Sequence, residues 1–232
     1  MDTLTTTDLH FVVRRIPKDL RELMMTTPLT VAGGFIRETI AGAGQVQDID
    51  VFGPSKEILT AAAVVLESTR QGSRKFTTKN AITLLHPPRL PIQFITRWLF
   101  DGPDPLIASL DFTVCQAAIW YDRTTVAWRS AISAGFYPDL SARRLVYTFP
   151  EREEEVGGSM LRVRKFLTRG YNIQAPSLAG VIARLAAKVR GDGDERQMAF
   201  VLAGLLYEVD PLLMVDGLEP IDEHESVNGE VK

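Results

Sequence analysis

The chain has 232 residues, 45% hydrophobic and 24% charged, enough apolar material for a real core and too much for wholesale disorder or a fibrous design. Its 26 Lys and Arg against 29 Asp and Glu leave a formal net charge of −3, so bulk charge does not select a nucleic-acid partner. One cysteine, Cys115, excludes an internal disulfide, and three scattered histidines, His10, His86 and His224, lack the spacing of a zinc site or a histidine-based triad.

Residues 8–25 read as a short strand or loop followed by a helix from about Pro17, a residue well tolerated at a helix start. The N-terminal stretch has no continuous apolar segment, so a cleaved secretory signal is not expected, no stretch is long and apolar enough for a membrane span, and the single cysteine fits a reducing, cytoplasmic setting. Leu29 to Ala32 is short and apolar and ends at Gly33-Gly34; Phe35 to Ala41 then reads as helix. Asp48-Ile49-Asp50-Val51-Phe52 alternates with period two, the pattern of a strand with one open face. Ser55 caps a helix whose apolar face is expected to carry Ile58, Leu59, Ala62, Val65 and Leu66. Ala81 to Leu85 and Ile92 to Ile95 are strand-like and flank the Pro87-Pro88 turn. Pro103 opens a short helix ending near Leu110. Phe112 to Tyr121 is expected as a strand, Asp122-Arg123 as its turn, and Thr124 to Trp128 as the returning strand. After Ser130 the apolar spacing becomes helical, a last helix spans roughly Asp194 to Glu208, and disorder is expected beyond Leu218. The expected division is residues 1–128 as an α/β half, 129–218 as a helical domain and 219–232 as an acidic tail.

Two features carry chemistry. Between Val156 and Arg190 lie seven basic residues, Arg162, Arg164, Lys165, Arg169, Arg184, Lys188 and Arg190, and no acid. That segment reads either as a polyanion site or as a solvated helical face. The sharper feature is Gly33-Gly34-Phe35-Ile36-Arg37 followed by Asp48-Ile49-Asp50. Strand residues two apart project from one face, so Asp48 and Asp50 set two carboxylates side by side, an oxygen-only arrangement suited to Mg²⁺ or Mn²⁺. The Gly-Gly pair lets backbone N–H groups approach a phosphate at a helix N-terminus, and Arg37 on the first turn suits a triphosphate oxygen. The three tryptophans, Trp98, Trp120 and Trp128, could stack on a base but read more readily as core.

In this order the motifs resemble the nucleotidyltransferases of the DNA polymerase β superfamily, in the branch of the CCA-adding enzymes and bacterial poly(A) polymerases. The Gly33 to Gly42 block with Asp48-Ile49-Asp50 is similar to the branch's first block. Asp111-Phe112-Thr113-Val114-Cys115-Gln116-Ala117 is similar to the second, Asp139 to Leu145 to the third, and Leu161 to Phe166 with Arg169 to Ile173 to the fourth. The resemblance implies an α+β fold: a polymerase β-like nucleotidyltransferase domain, a small mixed sheet with helices, followed by a helical domain. It implies an enzyme that moves a nucleoside monophosphate from an NTP to an acceptor hydroxyl and releases pyrophosphate, with an RNA 3′ end as first acceptor and a protein or small molecule as second. A catalytically degenerate nucleotide- or partner-binding protein of the same fold is the rival. By the same carry-over Asp48 and Asp50 would hold metal, Gly33, Gly34 and Arg37 the triphosphate, Asp111 the ribose, and Arg162 and Lys165 the nucleotide. Three positions depart from the branch: Ser109-Leu110 replaces two arginines, Gln116 replaces an asparagine, and Gln93 stands where relatives carry a third acid. Whether Gln93 or Asp111 completes the metal set stays open at this level.

Overall fold

Thr5 starts the first helix, its hydroxyl oxygen accepting the Asp8 N–H, and Arg14 and Arg15 close the last turn where the helix dipole favours cations. This α1 (Thr6–Arg15) replaces the strand or loop expected ahead of Pro17: the Thr5/Asp8 cap decides it, and Val12 and Val13 are buried by helical, not strand, periodicity. Pro17 then caps α2 (Lys18–Thr26), as its fixed φ allows. The computed structural model describes residues 1–42, 46–151 and 158–188, and divides into a unit Met1–Ala142 and a second that begins at Arg143.

The first unit is organised by a seven-stranded mixed sheet. In chain order its elements are β1 (Thr30–Ala32), α3 (Gly34–Ala41), β2 (Ile49–Phe52), α4 (Lys56–Thr69), β3 (Arg74–Thr77), β4 (Ala81–Leu85), β5 (Ile92–Ile95), α5 (Pro103–Ala108), a 3₁₀ turn (Thr113–Cys115), β6 (Ala117–Asp122), β7 (Ala127–Ile132) and α6 (Phe136–Ser141). The spatial order is β3-β4-β5-β2-β1-β6-β7, with β2 and β5 parallel and every other neighbouring pair antiparallel.

Register sorts the side chains onto two faces. Val51, Phe94 and Ile82 stand opposite one another on β2, β5 and β4 and share one face, which α4 covers. Asp50, Gln93 and Thr83 stand opposite one another in the same strands and share the other. That second face carries a smaller apolar cluster farther along, where Leu106 and Ile107 of α5 pack on Ala32, Phe52, Ala118 and Ala131. One sheet thus buries one face for stability and leaves polar groups on part of the other.

The differences from expectation have local causes. Strand β3 was absent from the reading because Arg74, Lys75 and Thr77 are all exposed on an edge, so no apolar alternation marks it. Phe112 to Tyr121 is not one strand: the 3₁₀ turn interrupts it, and the hairpin partner runs Ala127–Ile132 rather than Thr124 to Trp128. Strand β7 therefore crosses the boundary expected after residue 128, and the first unit extends to Ala142. On α4 the buried face is Leu59, Ala62, Ala63 and Leu66, while Val65 is exposed.

The second unit holds β8 (Arg144–Leu145), α7 (Gly158–Thr168), β9 (Asn172–Ile173) and α8 (Ala175–Lys188). Its two short strands pair in parallel, an addition to the all-helical expectation. Val163 and Phe166 of α7, with Leu145, Tyr147, Tyr171, Val181 and Leu185, are among its buried positions. The helix expected at Asp194 to Glu208 and the acidic tail lie outside the described residues. Among the described residues no helix is long and apolar enough to cross a membrane.

Candidate active site

Strand β2 places the two carboxylates. Asp50 is half-buried in the strand and Asp48 immediately precedes it, also half-buried. The parallel register sets Gln93 of β5 directly against Asp50, with side chains on the same face. On the other flank, β1 pairs Thr30 with Phe52 and Val31 with Val51, so one more step of that register brings Ala32 against Asp50. The chain leaves β1 at that point through Gly33-Gly34. The site therefore reads across three strands: an amide on β5, the carboxylates on β2, and the Gly-Gly turn at the end of β1.

Gly33 has φ +76° and ψ −125°, a conformation L side chains rarely adopt, and caps α3 without a side-chain hydrogen bond. Its own N–H donates to the Ala117 carbonyl, which ties the turn to β6. Gly34 is under no such constraint; a Cβ there would stand 3.6 Å from Arg37 Nη2. The turn thus opens a helix N-terminus beside the carboxylates, with the Arg37 guanidinium curled back under it.

Arg37 is only 4% exposed. Its Nε and Nη2 both donate to Glu38 Oε1, at 2.9 and 2.7 Å, and Nη1 donates to Cys115 Sγ at 3.2 Å. The guanidinium is neutralised by its sequence neighbour and fastens α3 to the 3₁₀ turn. Arg37, expected at the triphosphate, and the single cysteine, Cys115, thus share one buried cluster. Glu38 was part of the recognised block, yet nothing in its spacing alone announces the fork.

Asp111 is 2% exposed and lies just before that same 3₁₀ turn. Two residues on, the Thr113 hydroxyl donates to Asp139 Oδ2 at 2.5 Å, joining the turn to α6. Gly135 leaves room for the pair, since a Cβ there would lie 3.0 Å from Thr113 Cγ2 and 3.1 Å from Asp139 Oδ2. Gln116, buried beside them, donates Nε2 to the Ile107 and Leu110 carbonyls at 3.1 and 3.3 Å and so closes the end of α5. The second and third blocks of the sequence meet here, through Thr113 and Asp139, a junction that linear spacing does not reveal. Arg162 and Lys165, the remaining candidates, are half-buried on α7 of the second unit.

Among the described residues no group of three or more His, Cys, Asp or Glu side chains is arranged to hold a metal ion. The donor set on this face is two carboxylates and an amide, all hard oxygen ligands of the kind Mg²⁺ and Mn²⁺ accept. Asp48 and Asp50 with the Gln93 carbonyl oxygen are the groups that could hold one such cation.

Comparison with known proteins gives the chain's family and its fold relatives. A family model described as "Gabija anti-defense 2 family protein" matches residues 4–143, the whole sheet-bearing unit. The chain belongs to the Gabija anti-defense 2 family. No functionally curated protein matches it in sequence. Among solved structures, a CCA-adding enzyme in complex with ATP aligns at TM-score 0.57 and 18% identity, over 93% of this chain and 54% of its own. The Thermotoga maritima CCA-adding enzyme complexed with tRNA aligns at 0.56 and 16%, over 92% and 54%. A CCA-adding enzyme with CTP aligns at 0.52 and 19%, over 78% and 46%. This family member therefore has a fold like that of CCA-adding enzymes, and spans about half the length of the enzymes it resembles.

Proposed function

We infer that the chain is a divalent-metal-dependent nucleotidyltransferase that moves a nucleoside monophosphate from an NTP to an acceptor hydroxyl. The observation that carries this reading is the register of Asp50 against Gln93, with Asp48 and the Gly33-Gly34 turn alongside. Clustered carboxylates on one strand repel one another unless a cation sits between them, and a fold without use for that cation gains nothing by keeping both. A bound Mg²⁺ or Mn²⁺ would supply charge neutralisation for the triphosphate and for the pyrophosphate that leaves.

The chain's own residues then divide the work. Asp48 and Asp50 hold the cation, and the backbone N–H groups at the start of α3 receive triphosphate oxygens. Arg37, locked by Glu38, keeps the first turn of α3 in place and offers Nη2 toward Gly34. Asp111 is the group for the ribose. Gln93 can orient a water or a ligand oxygen but cannot accept a proton near neutral pH, so activation of the attacking hydroxyl is weak and turnover slow.

An RNA 3′ end is the first acceptor, supported by the ATP-, CTP- and tRNA-bound neighbours. A protein hydroxyl is the second, supported by the anti-defense description of the family. The deciding experiment incubates the protein with each α-labelled NTP and Mn²⁺, once with total RNA and once with protein alone. Label on RNA that is absent with Asp48→Asn supports the first acceptor, and label on protein supports the second. No label on either, with full NTP binding, means a protein that kept the fold and lost the chemistry.

A further inference from the structure

The carboxylates of β2 have different neighbours on their two flanks. Toward β1 the chain turns through Gly33-Gly34 into α3. Toward β5 the same face of the sheet continues over β4 to β3, and register carries two rows of side chains across it. Asp50, Gln93, Thr83 and Phe76 stand opposite one another on β2, β5, β4 and β3. Two residues nearer the Gly-Gly end, Asp48 is level with Pro91, and Leu85 of β4 stands opposite Arg74 of β3. Strand residues two apart share a face, so Arg74 and Phe76 lie on the carboxylate face. They stand three strands from β2, roughly 14 Å at the usual strand spacing.

Phe76 is half-buried and Arg74 exposed. The side chains between them and the carboxylates, Gln93, Thr83 and Leu85, carry no charge. Helix α4 packs on β4 and β5 from the opposite face, and α5 covers the part of this face beyond β2, where Ala32, Ala118 and Ala131 lie. The chemistry of transfer says what approaches over β5. The acceptor oxygen bonds to the α-phosphorus, the bridging oxygen leaves with its electron pair as part of pyrophosphate, and the hydroxyl proton passes to water. Attacking and leaving oxygens stand in line on opposite sides of that phosphorus. With the triphosphate tail at Gly33-Gly34 on the β1 side and the phosphorus over β2, the acceptor enters from the β5 side. The rest of the acceptor then lies over β4 and β3.

We propose, resting on the transfer reading above, that Arg74 and Phe76 form the acceptor platform of this site and that the acceptor is a single-stranded polynucleotide 3′ end. Its terminal hydroxyl reaches the cation over Gln93, an upstream base stacks on Phe76, and a neighbouring phosphate pairs with Arg74. A ring and a guanidinium at alternate positions of one strand match what every nucleotide repeats, a π face and a phosphate. Neither group reads a base edge, so the platform positions the strand without selecting its sequence.

The test measures binding to the full chain in EDTA and without NTP, so it does not depend on transfer. Labelled hexa-adenylate and an abasic ribose-phosphate strand of equal length are titrated by fluorescence polarisation. The parent should bind hexa-adenylate more tightly than the abasic strand. Phe76→Leu should weaken hexa-adenylate ~10-fold and leave the abasic strand unchanged, and Phe76→Trp should restore the affinity. Arg74→Gln, at an exposed position that leaves the core intact, should weaken both strands and lower the salt slope of binding by about one unit. With Mn²⁺, Phe76→Leu and Arg74→Gln should each bind a non-hydrolysable ATP analogue within about twofold of the parent, because they stand on the acceptor side. No saturable binding of hexa-adenylate by the parent would overturn the proposal, and label on protein in the transfer assay would then make a protein the acceptor. Unchanged RNA affinity in both variants would overturn it too, even where RNA is labelled and the transfer reading holds. RNA binding that needs Arg74 and Phe76 in a protein that transfers nothing would support the platform and end the catalytic reading alone.

Discussion

Gln93 occupies the place where a third carboxylate would face Asp50, and the consequences of an amide there are measurable. Replacing it with glutamate adds a formal charge to a pair that already repels. In EDTA the Gln93→Glu variant should melt below the parent, because three carboxylates then crowd one face without a counter-ion. With Mn²⁺ the order should reverse, and Mn²⁺ affinity by isothermal calorimetry should rise ~10-fold or more. If the variant instead binds Mn²⁺ no better than the parent, Gln93 is not the third ligand. Asp111→Asn separates the two candidates: it should blunt discrimination between ATP and 2′-deoxy-ATP while leaving Mn²⁺ affinity within about twofold, whereas collapse of metal binding would make Asp111 the completing acid. Strand alternation sets the expectation that Asp48 and Asp50 share a face; β2 holds Asp50, and Asp48 lies one residue before its start. The partners of Arg37 were not legible in the sequence, since Cys115 lies 78 positions away and meets it only through the packing of α3 on the 3₁₀ turn.

Elements differ in how plainly their residues announce them. Strands β2 and β5 and helix α3 were readable because a one-sided apolar pattern and a Gly-Gly stop bound them. Helix α1 and strand β3 were not, the first because Pro17 drew attention from the Thr5 cap, the second because an edge strand buries too little to leave a pattern. Two predictions belong to this scale. Gly33→Ala forces a side chain onto a φ of +76° and should cost ~1–3 kcal/mol of stability, measured by urea unfolding. Gly34→Ala should leave stability within about 1 kcal/mol of the parent and lower NTP affinity instead, since its Cβ meets only the end of a side chain. Helices α2 and α4 are joined by a different device: Asp19 accepts Nε and Nη2 of Arg70 at 2.7 and 2.9 Å, with Arg89 Nη1 at 3.3 Å. Burial pushes the Asp19 carboxyl up, but the Arg70 hydrogen bond and charge, the Leu20 N–H and Arg89 together outweigh it and hold the carboxyl below its usual value of 3.8. A carboxylate with a lowered folded pKa contributes stability above its unfolded pKa and loses it as pH falls through the folded value, so this contact should fail only in acid below that range. Asp19→Asn leaves a guanidinium with 0% side-chain exposure short of its counter-charge and should destabilise the first unit by ~3 kcal/mol at neutral pH, at the low end for a buried pair because Asp19 keeps 20% exposure. A melting temperature equal to the parent's would show that Arg70 finds another partner.

At the scale of the whole molecule, a single sheet serves two purposes. One face anchors α4, and part of the other presents Asp50 and Gln93, with Asp48 just ahead of β2. The overall fold class was legible because four sequence blocks fall in order along the chain, and the solved CCA-adding enzymes share that fold at 16–19% identity. The acceptor was not legible, because it is chosen by surfaces whose residues carry no spacing rule. The basic segment bears on that choice. If it grips RNA, charge reversal at Arg164 or Arg169 should weaken RNA binding and flatten its dependence on salt, by roughly one unit of slope per lost phosphate contact. The claim beneath all of these readings is that Asp48 and Asp50 hold a catalytic cation. It is tested most directly by pyrophosphate release from NTP in the presence of Mn²⁺ and of total RNA and protein as acceptors, compared between the parent protein and Asp50→Asn, with folding of both verified by their thermal melts. Slow release by the parent that falls to background in the variant is the result expected here; equal release from both proteins would contradict it.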